Sequence, residues 1–169
     1  EMKALEPDLQ VSGLGGRQMR DVAGQGIEDW VEKAGVVGLW EVLKIYRYFK
    51  EKKVAVEAQI LAERPEAVIF VDYPGFNLRV ASSLRTAGYT GKLIYYISPQ
   101  VWAWKKGRVK VMAKVLDLMI CIFPFEKAFY EQSGLRTEFG GHPMVDRVQT
   151  LRRDWKREHN LVGWFPGSR

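Results

Sequence analysis

Asp72 follows the apolar run Ala67-Val68-Ile69-Phe70-Val71 and leads into Tyr73-Pro74-Gly75-Phe76-Asn77. A carboxylate at the end of a buried strand stands where open α/β sheets bind ligands, beyond the carboxyl ends of their strands. Apolar surroundings there suit it for general-base work. An aspartate before a proline is equally a turn or N-cap residue, and Asn77 reads as the cap of the following helix. On the residues alone both readings of Asp72 stand.

Three other strand ends are furnished in the same way. Ser98-Pro99-Gln100-Val101-Trp102-Ala103-Trp104 runs straight into Lys105, Lys106 and Arg108. Tryptophan faces receive sugar rings, and basic side chains hold phosphate; the same residues also serve as core aromatics and solvated charge. Glu126, at the start of a helix after Pro124-Phe125, suits that helix's dipole, and His142 beside Pro143 reads as structural. Pro166-Gly167-Ser168-Arg169 is a strand-to-loop turn. A helix after it would make an anion site suited to a diphosphate.

The elements that must position these groups follow from periodicity. Strands are expected at Leu9–Gly13, closed by the turn Gly13-Leu14-Gly15-Gly16, and at Ala67–Val71, Lys92–Ile97, Leu116–Phe123, Arg136–Phe139 and Leu161–Phe165. Helices are expected at Val36–Ala62, Asn77–Ala87, Lys105–Val115, Glu126–Ser133 and Arg147–His159. The continuous apolar run of Ala67–Val71 predicts a strand buried on both faces. Strands alternating with helices predict an α/β fold, a Rossmann-like parallel sheet with helices on both faces. A boundary is expected near Asp146, giving one domain over residues 1–146 and the start of a second over 147–169.

Residues 34–50 are apolar nearly all round a helical wheel, with Trp40, Tyr46, Tyr48 and Phe49 interleaved with Lys44, Arg47 and Lys50. The stretch is too short to span a bilayer. It suits a helix lying in a membrane interface as well as one buried between sheet and neighbour.

The 169 residues suffice for one sizeable core, and with 47% apolar and 27% charged residues the chain is expected to be globular rather than disordered. The net charge of +6 favours polyanions without choosing among nucleic acid, anionic lipid and sugar nucleotide. The single cysteine, Cys121, lies in an apolar run and reads as a buried, inert thiol. Two histidines without a cysteine cluster argue against a structural metal site. No signal peptide and no membrane-spanning run is visible, so a cytosolic chain is expected.

Taken in order, these motifs resemble the lipid-A-disaccharide synthase family of glycosyltransferases. The matches are Gly15-Gly16 with Met19, Gly38-Leu39 with Glu41-Val42-Leu43, Asp72-Tyr73-Pro74 with Phe76-Asn77-Leu78, and Tyr96 with Ser98-Pro99 and Val101-Trp102-Ala103-Trp104. Arg108, Pro124-Phe125-Glu126, Phe129-Tyr130, Gly141-His142-Pro143, Asp146 and Pro166-Gly167-Ser168-Arg169 complete the set. The resemblance implies the acceptor-binding half of a two-domain GT-B enzyme, with a first strand and helix preceding Glu1 and most of the nucleotide domain following Arg169. It implies inverting transfer from UDP-2,3-diacylglucosamine to lipid X, without cofactor, metal or nucleic acid, at the cytoplasmic face of the inner membrane. Asp72 would be the catalytic base. Asn77, Ser98, Gln100, Trp102, Ser168 and Arg169 would line the substrate site, and Val36, Val37, Leu39, Trp40, Leu43 and Tyr48 would touch the membrane. Gly75 departs from the family, which often has a second aspartate there. The competing readings are a non-catalytic membrane-surface binding fragment and another GT-B enzyme with a glycolipid acceptor.

Overall fold

Four short strands lie side by side in the order in which the chain makes them, each parallel to its neighbour. Residues 5–24, 26–30, 39–101 and 107–151 are described by the computed structural model, residues 39–45 and 151 by their backbone alone. The chain runs β1 (Gly13–Gly15), α1 (Arg17–Ala23), β2 (Ile27–Asp29), α2 (Leu39–Glu63), β3 (Ala67–Val71), α3 (Pro74–Thr86), β4 (Lys92–Tyr96), α4 (Gly107–Val115), β5 (Leu118–Cys121), α5 (Pro124–Glu131), β6 (Thr137–Phe139) and α6 (Pro143–Leu151). Strands β3 to β6 form the main sheet, and β1 and β2 a separate parallel pair. Parallel neighbours need a crossover between them, and α3, α4 and α5 supply it. The expected α/β fold with a parallel sheet flanked by helices is what the chain forms.

One face of the sheet carries the core. Phe70, Leu93, Tyr95 and Met119 point into it, and α3 meets them with Phe76, Leu78, Val80, Ala81 and Leu84, α4 with Val109 and Met112, α5 with Tyr130. Helix α2 adds Phe49, Val56 and Ile60 to the rim of this cluster, a spacing of seven and four that keeps them on one helical face. Lys53 Nζ bridges α2 to Ser83 of α3 at 2.8 Å.

The expectation that Ala67–Val71 is buried on both faces is corrected. Phe70 is buried, but Ile69 and Val71 are each 45% exposed. The reason is position: β3 is the edge of the sheet, and its second face has little packed on it among the described residues. The first strand is also displaced. It lies in the glycine run Gly13–Gly15 rather than at Leu9–Gly13. Glycine lets the strand pack closely there: a Cβ on Gly15 would meet Met19 Sδ at 2.8 Å and Ile27 Cγ2 at 3.0 Å, and both side chains would have to shift. Strand β5 is shorter than the expected Leu116–Phe123.

Three helices start earlier than expected, each on a proline that suits the first helical turn; one is α5, which begins at Pro124 instead of Glu126. Helix α3 begins at Pro74 instead of Asn77, with Tyr73 as its N-cap. Helix α6 begins at Pro143 instead of Arg147, so Asp146 lies in its first turn. The strand expected at Leu161–Phe165 lies outside the described residues.

Candidate active site

All four strands of the main sheet end on one side, and backbone hydrogen bonds step across those ends. Asp72 N donates to Tyr96 O (3.0 Å), Ile97 N to Ile120 O (3.1 Å) and Gly140 N to Cys121 O (3.0 Å). This row brings together the segments singled out in the sequence: Asp72, Ser98 with Gln100, Pro124-Phe125-Glu126 and Gly140-Gly141-His142.

Its backbone is unusual. Asp72 (φ 48°), Tyr73 (φ 43°) and Ile97 (φ 64°) are left-handed without being glycine. Each such residue costs about 1–3 kcal/mol, and for a β-branched Ile the conformation is rare. Strain of this kind concentrates where the chain must aim a side chain. Asn77 is not the N-cap it resembled. From the first turn of α3 it reaches back, and Nδ2 donates to Asp72 O (2.7 Å) and Val71 O (3.2 Å). Tyr95 Oη donates to the same Asp72 carbonyl.

The main chain of Asp72 is thus held through both its N–H and its carbonyl, while its carboxylate makes no hydrogen bond or ion pair among the described residues. The N-cap reading fails, because the cap of α3 is Tyr73 and no side chain bonds there. The expected apolar enclosure is absent too: Asp72 is exposed, since it ends an edge strand. An exposed carboxylate with no partner among the described residues, on a backbone held at both its N–H and its carbonyl, can accept a proton from a hydroxyl brought to it.

Beside Asp72 stands an aromatic wall from three elements. Trp30, after β2, packs on Phe76 (ring centroids 5.2 Å) and edge-on to Tyr73 (5.9 Å). Phe49 of α2 lies 5.6 Å from both Trp30 and Tyr73. Tyr73 remains 46% exposed, so the wall presents a ring to solvent next to the carboxylate. Of these aromatics only Trp30 was not marked by its neighbours in sequence; Phe49 was marked for a membrane or core face, not for this wall.

On the next strand end, Gln100 is exposed and Ser98 is buried. Ser98 Oγ lies near the Tyr130 phenol but has no partner in hydrogen-bonding geometry among the described residues. Tyr130 instead donates to Pro99 O at 2.5 Å. Burial, then the charges of Asp72 on Tyr95 and Glu126 on Tyr130, push both phenols well above their ordinary pKa and keep them protonated donors.

Glu126 is fully buried and accepts from Phe123 N (3.2 Å), closing the first turn of α5. His142 Nδ1 accepts from Met144 N at 3.2 Å, and its ring lies 5.6 Å from Phe123. Both fit the structural readings. Cys121 is buried, its thiol pushed up first by burial and then by Glu126, as expected of an inert cysteine. No group of His, Cys, Asp and Glu suited to a metal occurs among the described residues.

Trp102, Ser168, Arg169, Val36 and Val37 lie outside the described residues, as do the side chains of Leu39, Trp40 and Leu43. Tyr48 is half-buried against Phe49 (5.8 Å), whereas Tyr46 is 63% exposed. No described helix is long and apolar enough to cross a membrane.

A sequence model of the lipid-A-disaccharide synthetase family matches residues 1–169. Among curated proteins, the chain is similar to a lipid-A-disaccharide synthase of Trichlorobacter lovleyi, 41% identical over 176 residues, covering 99% of this chain and 45% of that protein. The same named enzyme of Geobacter metallireducens is 41% identical over 177 residues, covering 100% and 45%. That of Coxiella burnetii is 36% identical over 178 residues, covering 99% and 46%. The chain thus spans about half the length of the curated relatives it matches.

Proposed function

The chain belongs to the lipid-A-disaccharide synthetase family, and from that premise we propose that it forms the acceptor-binding half of an inverting glycosyltransferase of lipid A biosynthesis. The donor is UDP-2,3-diacylglucosamine and the acceptor is lipid X, 2,3-diacylglucosamine 1-phosphate. The acceptor hydroxyl oxygen attacks the anomeric carbon from the face opposite UDP. The new glycosidic bond forms as the bond to the diphosphate breaks, and the hydroxyl proton passes to the Asp72 carboxylate. The products are the disaccharide 1-phosphate and UDP. Arg169, outside the described residues, meets the charge on the leaving diphosphate.

The observation that supports this reading is the contrast within Asp72: a main chain held through N–H and carbonyl, and a carboxylate with no partner among the described residues. A base must be positioned and available, and this residue is both. The exposed ring of Tyr73 beside it suits the apolar face of a glucosamine.

The enzyme works at the inner face of the inner membrane, where its acylated substrates reside. Residues 34–50 form the contact, and the exposed Tyr46, Arg47 and Lys50 of α2 suit an interface with anionic lipid.

The test is an assay of the full-length protein with UDP-2,3-diacylglucosamine, offered lipid X and a polyprenyl phosphate acceptor in competition. Release of UDP with formation of the disaccharide 1-phosphate is expected. Transfer to the polyprenyl acceptor, or to neither, would overturn the assignment.

A further inference from the structure

Tyr95 fills a place in the core that a phenylalanine would fill equally well. It is fully buried, in the middle of the sheet, with Phe70 at 6.2 Å between ring centroids. Its hydroxyl donates to the carbonyl of Asp72. The same oxygen receives Asn77 Nδ2 at 2.7 Å. A carbonyl has two lone pairs, and here one is taken from the sheet and the other from a helix. The peptide plane between Asp72 and Tyr73 is therefore pinned by two separate elements.

That plane joins two consecutive left-handed residues bearing side chains, Asp72 and Tyr73. Such a pair persists only where its surroundings over-determine it. With the Asp72 N–H held by Tyr96 O, the pinned carbonyl completes the frame at Asp72 Cα, and that frame sets the Cα–Cβ bond that carries the carboxylate.

We propose that Tyr95 is a positioning residue for Asp72: its hydroxyl, holding the Asp72 carbonyl from below the sheet end, fixes the direction in which the carboxylate points. The catalytic consequence rests on the reading of Asp72 as the base; the positioning itself does not. Tyr130 is the internal control. It is as fully buried, and its hydroxyl also donates to a strand-end carbonyl, that of Pro99, without touching Asp72.

The experiment compares Tyr95→Phe, Tyr130→Phe, Asp72→Asn and the double variant Tyr95→Phe/Asp72→Asn in the full-length protein. Transfer to lipid X and amide hydrogen exchange over residues 72–77 are measured on each. Tyr95→Phe should lower kcat about tenfold with KM within about twofold, the signature of lost alignment. Tyr130→Phe is the control for exchange alone, since its hydroxyl holds the Pro99 carbonyl between Ser98 and Gln100. The double variant should be no slower than Asp72→Asn, because Tyr95 acts through the carboxylate already removed. Exchange over 72–77 should quicken in Tyr95→Phe and not in Tyr130→Phe. A Tyr95→Phe enzyme with unchanged kcat, or losses that multiply in the double variant, overturns the proposal. Should Asp72→Asn keep near-parental turnover, the base assignment falls by itself. Exchange then decides: quickening in Tyr95→Phe alone upholds the clamp, and no quickening removes it.

Discussion

Asp117 and Asp72 stand at opposite ends of the same sheet and are treated in opposite ways. Asp117, before β5, shares its Oδ2 between Arg85 Nη2 and the backbone N–H of Leu93, the latter at 2.7 Å. Arg85 in turn donates through Nε to Val115 O (2.9 Å) and through Nη1 to Tyr89 O (2.8 Å) and Gly91 O (3.0 Å). Tyr89 closes the network on Pro65 O at 2.5 Å. One guanidinium thus gathers the loops that feed β4 and β5, using four of its five N–H donors in doing so. At the carboxyl ends the bonds go to the backbone of Asp72 and Pro99, and the Asp72 carboxylate and Ser98 hydroxyl are left over among the described residues. Polar groups that complete each other hold a fold together; polar groups held in place with nothing to bind are what a site requires.

The sharpest way to break this comparison is at its reactive end. Asp72→Asn in the full-length enzyme should lower turnover by about 10²–10⁴-fold, the usual worth of a general base, with a melting temperature within a few degrees of the parent because no bond to the carboxylate is lost. Turnover within a few-fold of the parent would remove the carboxylate from the chemistry. The opposite pole should respond in stability instead. Arg85→Met removes an ion pair and three bonds to carbonyls. With the pair's side chains only 24% and 34% exposed, the loss should be about 1–3 kcal/mol in urea unfolding. Turnover per folded molecule should stay unchanged. A fall in kcat without a fall in stability would show that the two poles are not separate.

The smallest effect sharpens the reactive pole. Gly75 sits in the first turn of α3, and a Cβ there meets nothing within 4 Å. Gly75→Asp should therefore stabilise the chain by about 0.5–1.5 kcal/mol, from helix propensity and from a negative charge at a helix N-terminus. It restores the carboxylate that many relatives are expected to have beside Asp72. Turnover within a few-fold of the parent would show that one carboxylate suffices; a lowered melting temperature would show that the open space is illusory.

The parallel sheet was legible because β3 to β5 are short, largely apolar runs separated by helical stretches, a pattern that leaves few alternatives. The placement of Asp72 and Ser98 on one sheet end followed from it. What could not be read was the work of residues whose type looked ordinary. Tyr95 and Tyr130 are aromatics in a strand and a helix, indistinguishable by pattern from packing residues. Only their hydroxyl partners, 23 and 31 positions away in sequence, set them apart. Asn77 matched a capping residue because caps and first-turn asparagines share a neighbourhood; Pro74 moved the helix start and changed its role. The exposure of Ile69 and Val71 was hidden because an apolar run records composition and not whether the strand is central or at an edge. Helix α1 and strand β2 gave little signal: α1 buries no residue and β2 is three residues long.

That edge has a consequence for handling the protein. Among the described residues β3 has no neighbour on its outer side, and its sequence, Ala-Val-Ile-Phe-Val, is uncharged, β-prone and free of proline. Such a strand is a template for another strand of its own kind. For the 169-residue chain in isolation, self-association along β3 rather than unfolding would then set the concentration at which it stays in solution, and a lysine in place of the exposed Ile69 is the natural gatekeeper.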